Sequence, residues 1–178
     1  MDADDLAAGS GDATARAALR LSTELVGLVP VWRRSPVQVI ARLHALAAAG
    51  SIPDEALGQP DEAEGAARLA SLSRMLAIPT QAPGLAVAAL VHAEIATCRA
   101  FSSHAGVVAR AAERIVLVER GVDPPSVTVP EAGHAAVPDV YRSALDAYAS
   151  GTDAGVAQWL RYASQAFARG AEASPLAN

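Results

Sequence analysis

The stretch from residue 85 to residue 99 constrains this chain more than any other. It reads LAVAALVHAEIATCR, apolar around the whole helical wheel except for His92, Glu94, Thr97 and the closing arginine. A helix that is apolar all round has no face to give to water, so it belongs in the middle of a helical bundle. After a break at 100–104 a second run, 105–120, follows at helical spacing, with Gly121 placed as its C-cap. These two helices are expected to be the most buried in the molecule.

The flanking segments supply the cover. Ala17, Leu21, Leu25 and Leu28 share one face of a helix that Asp12 can cap, and Pro30 is expected to end it. Ser35 and Pro36 read as N-cap and first helical residue, ahead of Val39, Ile40, Leu43 and Leu46. Gly50 stops that run, and 51–59 is a connector. Pro60 and Asp61 are expected to open a helix carrying Leu69, Leu72 and Leu76. Segment 78–83 holds Pro79 and Pro83 and cannot be helix interior. Helix is expected again over 131–150, interrupted at Pro138. Thr152 caps a last helix bearing Val156, Trp159, Leu160 and Phe167, with Gly170 as its end. Val127, Thr128 and Val129 alternate but are bracketed by prolines, so no strand is expected. The fold class is all-α, one domain of seven to eight helices.

Composition narrows the function classes. Apolar residues make up 52% of 178, much of it alanine, and aromatics only 4%. Such a core lets helices approach closely. The net charge of −5 argues against nucleic acid, whose binding proteins need a basic surface. All 14 basic residues are arginine, in keeping with a GC-rich genome. One cysteine, Cys98, excludes an internal disulfide framework. The acidic start lacks the pattern of a signal peptide, and no run reaches about 18 uncharged apolar residues. A cytoplasmic protein with no membrane contact is expected.

Chemistry concentrates in 89–114. The turn between the two central helices carries Ser102, Ser103 and His104, and the second helix opens with Gly106 and Arg110. A helix N-terminus presents unpaired N–H groups and a positive dipole end, which suit a phosphate or carboxylate. This stretch resembles the core of Fic domains, with the motif H-x-F-x-(D/E)-G-N-G-R-x-x-R after an apolar helix containing His-Ala-Glu. His92, Ala93 and Glu94 match that helix. Phe101 falls on the motif's Phe, Gly106 on its second Gly and Arg110 on its last Arg. Tyr141 to Leu145 resembles the family's Tyr-x-x-x-Leu helix, and Trp159, Leu160 and Phe167 its closing helix. Segment 78–83 stands where the family has its substrate-clamping flap, so a short hairpin is allowed there. The resemblance covers roughly residues 60–170. Trp32 and the segment from Leu43 to Ala47 resemble a helical extension of actinobacterial members. The small, acidic, Gly-containing start at 1–11 and the end at 171–178 are expected to be flexible, and the resemblance implies an extension over 12–59 packed on a Fic-like core over 60–170.

The departures are as specific as the matches. Arg99 stands in place of the catalytic His, and an arginine with pKa above about 12 cannot act as a general base at neutral pH. Ser103 replaces the acidic Mg²⁺ ligand, a poor exchange at a hard cation. His104 and Ala105 replace the Gly-Asn that shapes the anion loop, and Val107 the first motif Arg. The inhibitory pattern (S/T)-x-x-x-E-(G/N) has no match, because Glu64 and Gly65 follow Pro60. The resemblance therefore implies a pseudoenzyme acting as a binding or regulatory module, with no catalytic residue, metal or cofactor. A remodelled transferase that moves a nucleotidyl or other phosphate-containing group onto a protein hydroxyl is the alternative. A purely structural, antitoxin-like subunit is a third. The expected partners are another protein or a second copy, and a weakly held phosphate or nucleotide on Arg99, Ser102, Ser103, His104, Gly106 and Arg110.

Each of these residues has a plainer reading. Phe101 can be core packing, Gly106 a tight helix start, and Ser102 and Ser103 N-caps. Arg110 can pair with Glu113 or Glu131, and Arg99 with its own helix dipole. His104 is the one imidazole available as a displaced base. His92 reads as a hydrogen-bonded core histidine and Cys98 as a buried thiol. His92, His104 and His134 show no metal-ligand spacing.

Overall fold

The computed structural model describes residues 11–176. Among them are eight α-helices: α1 (Gly11–Trp32), α2 (Pro36–Ala48), α3 (Ala63–Leu76), α4 (Gly84–Thr97), α5 (Ala105–Glu119), α6 (Pro130–Ala135), α7 (Pro138–Ala149) and α8 (Asp153–Glu172). A 3-10 turn spans Asp54–Ala56. No strand occurs among the described residues, and Ala49 and Ile52 form only an isolated bridge. The fold is all-α. No described helix is long and apolar enough to cross a membrane.

The apolar wheel of α4 is explained by two cores that share it. Val87, Ala88, Val91 and Ile95 face a large cluster built with α1, α2, α3 and α5. Ala89 and Ala93, on the other side, meet Tyr141 and Ala144 of α7 and Trp159, Tyr162, Ala163 and Ala166 of α8. Helix α5 is buried at Gly106 to Glu113 and again at Ile115 to Leu117. Each fully buried Val, Leu or Ile contributes about 1.5–3 kcal/mol relative to exposure, so this pair of helices anchors the domain. The alanines let α4 come close to its neighbours, and Trp159, wholly buried, donates its indole N–H to the Ala89 carbonyl at 2.7 Å.

The N-terminal segment is part of the same body. Ala17, Leu21, Leu25 and Trp32 lie in the larger cluster. Arg20 of α1 donates to the carbonyls of Leu46, at 2.8 Å, and Ala47, at 3.0 Å, at the C-terminal end of α2. A cation there satisfies orphan carbonyls and the negative end of the helix dipole.

Several boundaries differ from expectation. Helix α1 runs past Pro30 to Trp32. The bond that proline removes would have gone to the Val26 carbonyl, and Val26 is exposed to solvent. The turn then closes with the N–H groups of Arg34 and Ser35 on the Val31 carbonyl. Helix α3 starts at Ala63 rather than Pro60, because Asp61 donates its N–H to the Ala100 carbonyl at 2.8 Å instead. Helix α8 continues through Gly170 to Glu172. That glycine answers a close approach: a Cβ on it would lie 2.7 Å from the Val129 carbonyl oxygen. Gly133 of α6 is tighter still, with a virtual Cβ at 1.9 Å from the Ala166 oxygen. The hairpin allowed for segment 78–83 does not form; the segment is irregular and exposed. Thr152 caps α8 as expected, accepting from the Gly155 N–H at 3.1 Å, and Gly121, at φ +70°, ends α5. The expected flexible start lies outside the described residues apart from helical Gly11.

Candidate functional site

The turn between α4 and α5 is built from residues 98–104. Cys98 caps α4 and is buried, its thiol 3.6 Å from the Ile95 carbonyl, and burial pushes its pKa up. Arg99 follows with φ +56° and its side chain exposed. Phe101 is buried and stacks on His44, ring centroids 4.0 Å apart. The Ser102 N–H donates to the Asp61 carboxylate, so one amide of the turn already holds an internal anion. His104, not Ser102 or Ser103, is the N-cap of α5, with φ +60°. Its Nδ1 lies 3.0 Å from the Ser103 hydroxyl.

Two cavities open beside this turn. One, about 370 Å³, lies between α4, α5 and α7 and is lined by Arg99, Ala105, Gly106, Tyr141, Arg142 and Asp146. The other, about 280 Å³, is lined by Asp61, Glu62, Arg99, Phe101, Ser102 and Ala105. Arg99 and Ala105 border both, and no imidazole lines either. The first-turn N–H groups of α5 and the Arg99 guanidinium are the donors for a small anion at the first cavity, whereas Arg142 is paired with Asp139 and Asp146 adds a carboxylate to the lining.

Of the six expected ligand residues, Arg99 and Gly106 meet in the larger cavity, and Arg99 and Ser102 in the smaller. Ser103 and His104 line neither. Arg110 stands apart. It is 8% exposed, lies beside the Tyr141 hydroxyl, whose pKa it pulls down against burial, and borders a groove between α1 and α5. Its expected carboxylate partners are engaged elsewhere, Glu131 with Arg114 at 3.5 Å and Glu113 with two histidines.

No family model, curated protein or solved structure matches the chain.

Those two histidines belong to a cluster that sequence spacing did not reveal. Glu113 Oε2 is 2.6 Å from His92 Nδ1 and 3.1 Å from His134 Nε2. The far ring nitrogens meet phenols, His92 Nε2 at 2.9 Å from Tyr141 and His134 Nδ1 at 3.0 Å from Tyr162. All three central residues are at most 3% exposed. Burial lowers the His92 pKa to about 4 despite the attraction of Glu113. Burial works to raise Glu113 as well, but attraction and hydrogen bonds from His92 and His134 hold it well below the usual carboxylate range. The geometry gives every hydrogen bond a donor when each ring N–H donates to Glu113 and each tyrosine O–H to the other nitrogen. His104 takes no part. The signal that was available is burial: His92 and Glu113 each interrupt an apolar helix, and a polar group there has to be paired. Nothing in the spacing, 21 residues from each histidine to Glu113, pointed to one site.

Glu94, the last residue of the His-Ala-Glu segment, is also structural. Its two oxygens accept from Arg68 at 2.8 Å each, and one from the Tyr148 hydroxyl at 2.9 Å, joining α3, α4 and α7.

Proposed function

We propose that this chain is a Fic-like domain that has lost group transfer and works as a binding or regulatory module, holding an anionic group of its partner in the cleft at the start of α5. What carries the reading is the backbone of the 98–104 turn. His104 has a left-handed conformation at the position that the resemblance aligns with the motif's first glycine, while Arg99 and Ser103 stand at those of the base and the acid. A left-handed residue where the motif has a glycine supports the reading, and the side chains that transfer would need are replaced. A non-glycine residue in this region carries a cost of about 1–2 kcal/mol, and Arg99 and His104 both bear it across one short turn. Such strain gathers at functional sites and persists where the surroundings enforce it.

Arg99 is then an anion ligand rather than a failed base. Its guanidinium and the amides of Ala105 and Gly106 are the donors for a phosphate or a carboxylate. Binding is weak, because one or two charge-assisted bonds contribute roughly 1.5–3 kcal/mol each before association entropy. It needs no metal. The same reading puts the protein in the cytoplasm of a bacterium, bound to another protein or to a second copy.

Thermal unfolding with inorganic phosphate, sulfate and AMP, with and without Mg²⁺, tests this. A rise in Tm that is independent of Mg²⁺ and absent in Arg99→Gly is expected. Incubation with labelled ATP should leave the chain and added lysate unlabelled. Mg²⁺-dependent labelling would overturn the reading in favour of a remodelled transferase. No Tm shift with any of the three anions would remove the cleft as an anion site.

A further inference from the structure

We propose that His92, Glu113 and His134 form a binding site for one divalent transition-metal ion, of which Zn²⁺ suits the donor set best, clamping α4, α5 and α6 together. The inference rests on the buried cluster alone and stands apart from the Fic-like reading. Each residue comes from a different helix, and their donor atoms lie within 4.8 Å of one another. Two ring nitrogens aim at a single carboxylate oxygen, from 2.6 Å and 3.1 Å. Two imidazoles and a carboxylate are a set that binds zinc and its neighbours, with metal–ligand bonds of about 2.0–2.2 Å. Bonds of that length place ligand atoms about 3.3 Å apart in a tetrahedron. The longer contact is already close to this, and the shorter has to open slightly.

The surroundings fit a ligand role. A metal-bound imidazole uses its other nitrogen to hold a fixed partner, which sets the tautomer and the ring plane. Tyr141 and Tyr162 stand at those two nitrogens, at 2.9 and 3.0 Å. On metal uptake each ring proton moves to the outer nitrogen, and each phenol turns from donor to acceptor, which a hydroxyl allows. The ring of Trp159, centred 5.2 Å from that of His92, closes the site on the side of α8. Three protein ligands leave one further coordination position. Tyr141 also lines the larger cleft, so the cluster is one side chain away from it.

The test uses the full chain, free of any histidine tag. Metal content is measured by plasma mass spectrometry after growth with added Zn²⁺. The chelator-stripped protein is then titrated with Co²⁺ and Zn²⁺, following visible ligand-field absorption and Tm. One ion per chain, four-coordinate Co²⁺ bands and a raised Tm are expected. Glu113→Gln should abolish the bands, and Tyr162→Phe should weaken affinity roughly 10- to 100-fold, as loss of an outer partner does. Cys98→Ala, which removes the one thiol, should leave binding unchanged. Should Glu113→Gln fail to fold, wild type and Tyr162→Phe still decide. Wild-type protein with less than a tenth of an equivalent of metal and no Co²⁺ bands would overturn the proposal. So would binding that survives both Glu113→Gln and Tyr162→Phe undiminished.

Discussion

His92 shows how one residue sets a condition on the whole fold. Its folded pKa of about 4 lies below the unfolded value of 6.5, and Glu113 is shifted down as well. Both shifts mean that the unfolded chain binds more protons than the folded one, so stability falls as the medium turns acid. The His92 contribution is present above pH 6.5 and is lost between there and pH 4, at up to about 1.4 kcal/mol per pH unit. The Glu113 contribution is lost at lower pH still. Glu113, His134, Tyr141 and Arg110 are the groups that face His92. Urea unfolding at pH 7.5, 6 and 5 should show a declining midpoint, and a flat profile would mean that the imidazole stays charged when buried. Arg99 makes the opposite point. Its positive φ favours glycine, so Arg99→Gly is expected to stabilise the apo protein by about 1 kcal/mol while losing anion binding. A destabilised Arg99→Gly would mean that the guanidinium holds the turn together.

Among the elements, most of what the sequence pattern implied came from periodicity and caps. The enclosed α4 and α5, the Ser35 and Pro36 start of α2, the break at Pro138 and the Thr152 cap were all legible, because each depends on residues close in the chain. What could not be read depends on contacts far apart. The start of α3 is set by Asp61 meeting Ala100 and Ser102, some 40 residues on. Gly170 reads as a helix stop in isolation, but it is where α8 crosses the segment before α6. The buried triad was illegible for the same reason. Its members look like ordinary polar interruptions until α6 folds back against α4 and α5. The α6–α8 crossing yields a sharp expectation: Gly133→Ala should cost more than 2 kcal/mol, since the new methyl meets a backbone oxygen that cannot turn aside. A neutral result in thermal unfolding would show that the two helices separate easily. Trp159→Ala, which empties the centre of the smaller core, should cost about 3–5 kcal/mol.

At the scale of the molecule, the N-terminal helix α1 closes over the first turn of α5. Val107 is buried in the cluster that α1 completes, beside Leu21 and Leu25. Val107→Arg is expected to lower stability by roughly 3–5 kcal/mol, the range for a buried charge without a partner. Urea unfolding of that variant measures it, and an unchanged midpoint would mean that α1 gives way. The all-helical body also carries a gauge of its own motion. Its only thiol, Cys98, sits 3% exposed at the turn between the two central helices. A maleimide or a disulfide reagent can reach that sulfur only when the turn opens locally, so alkylation becomes a clock for opening events that no ligand or label has to be engineered to see. Phosphate in the adjoining cleft should slow that clock.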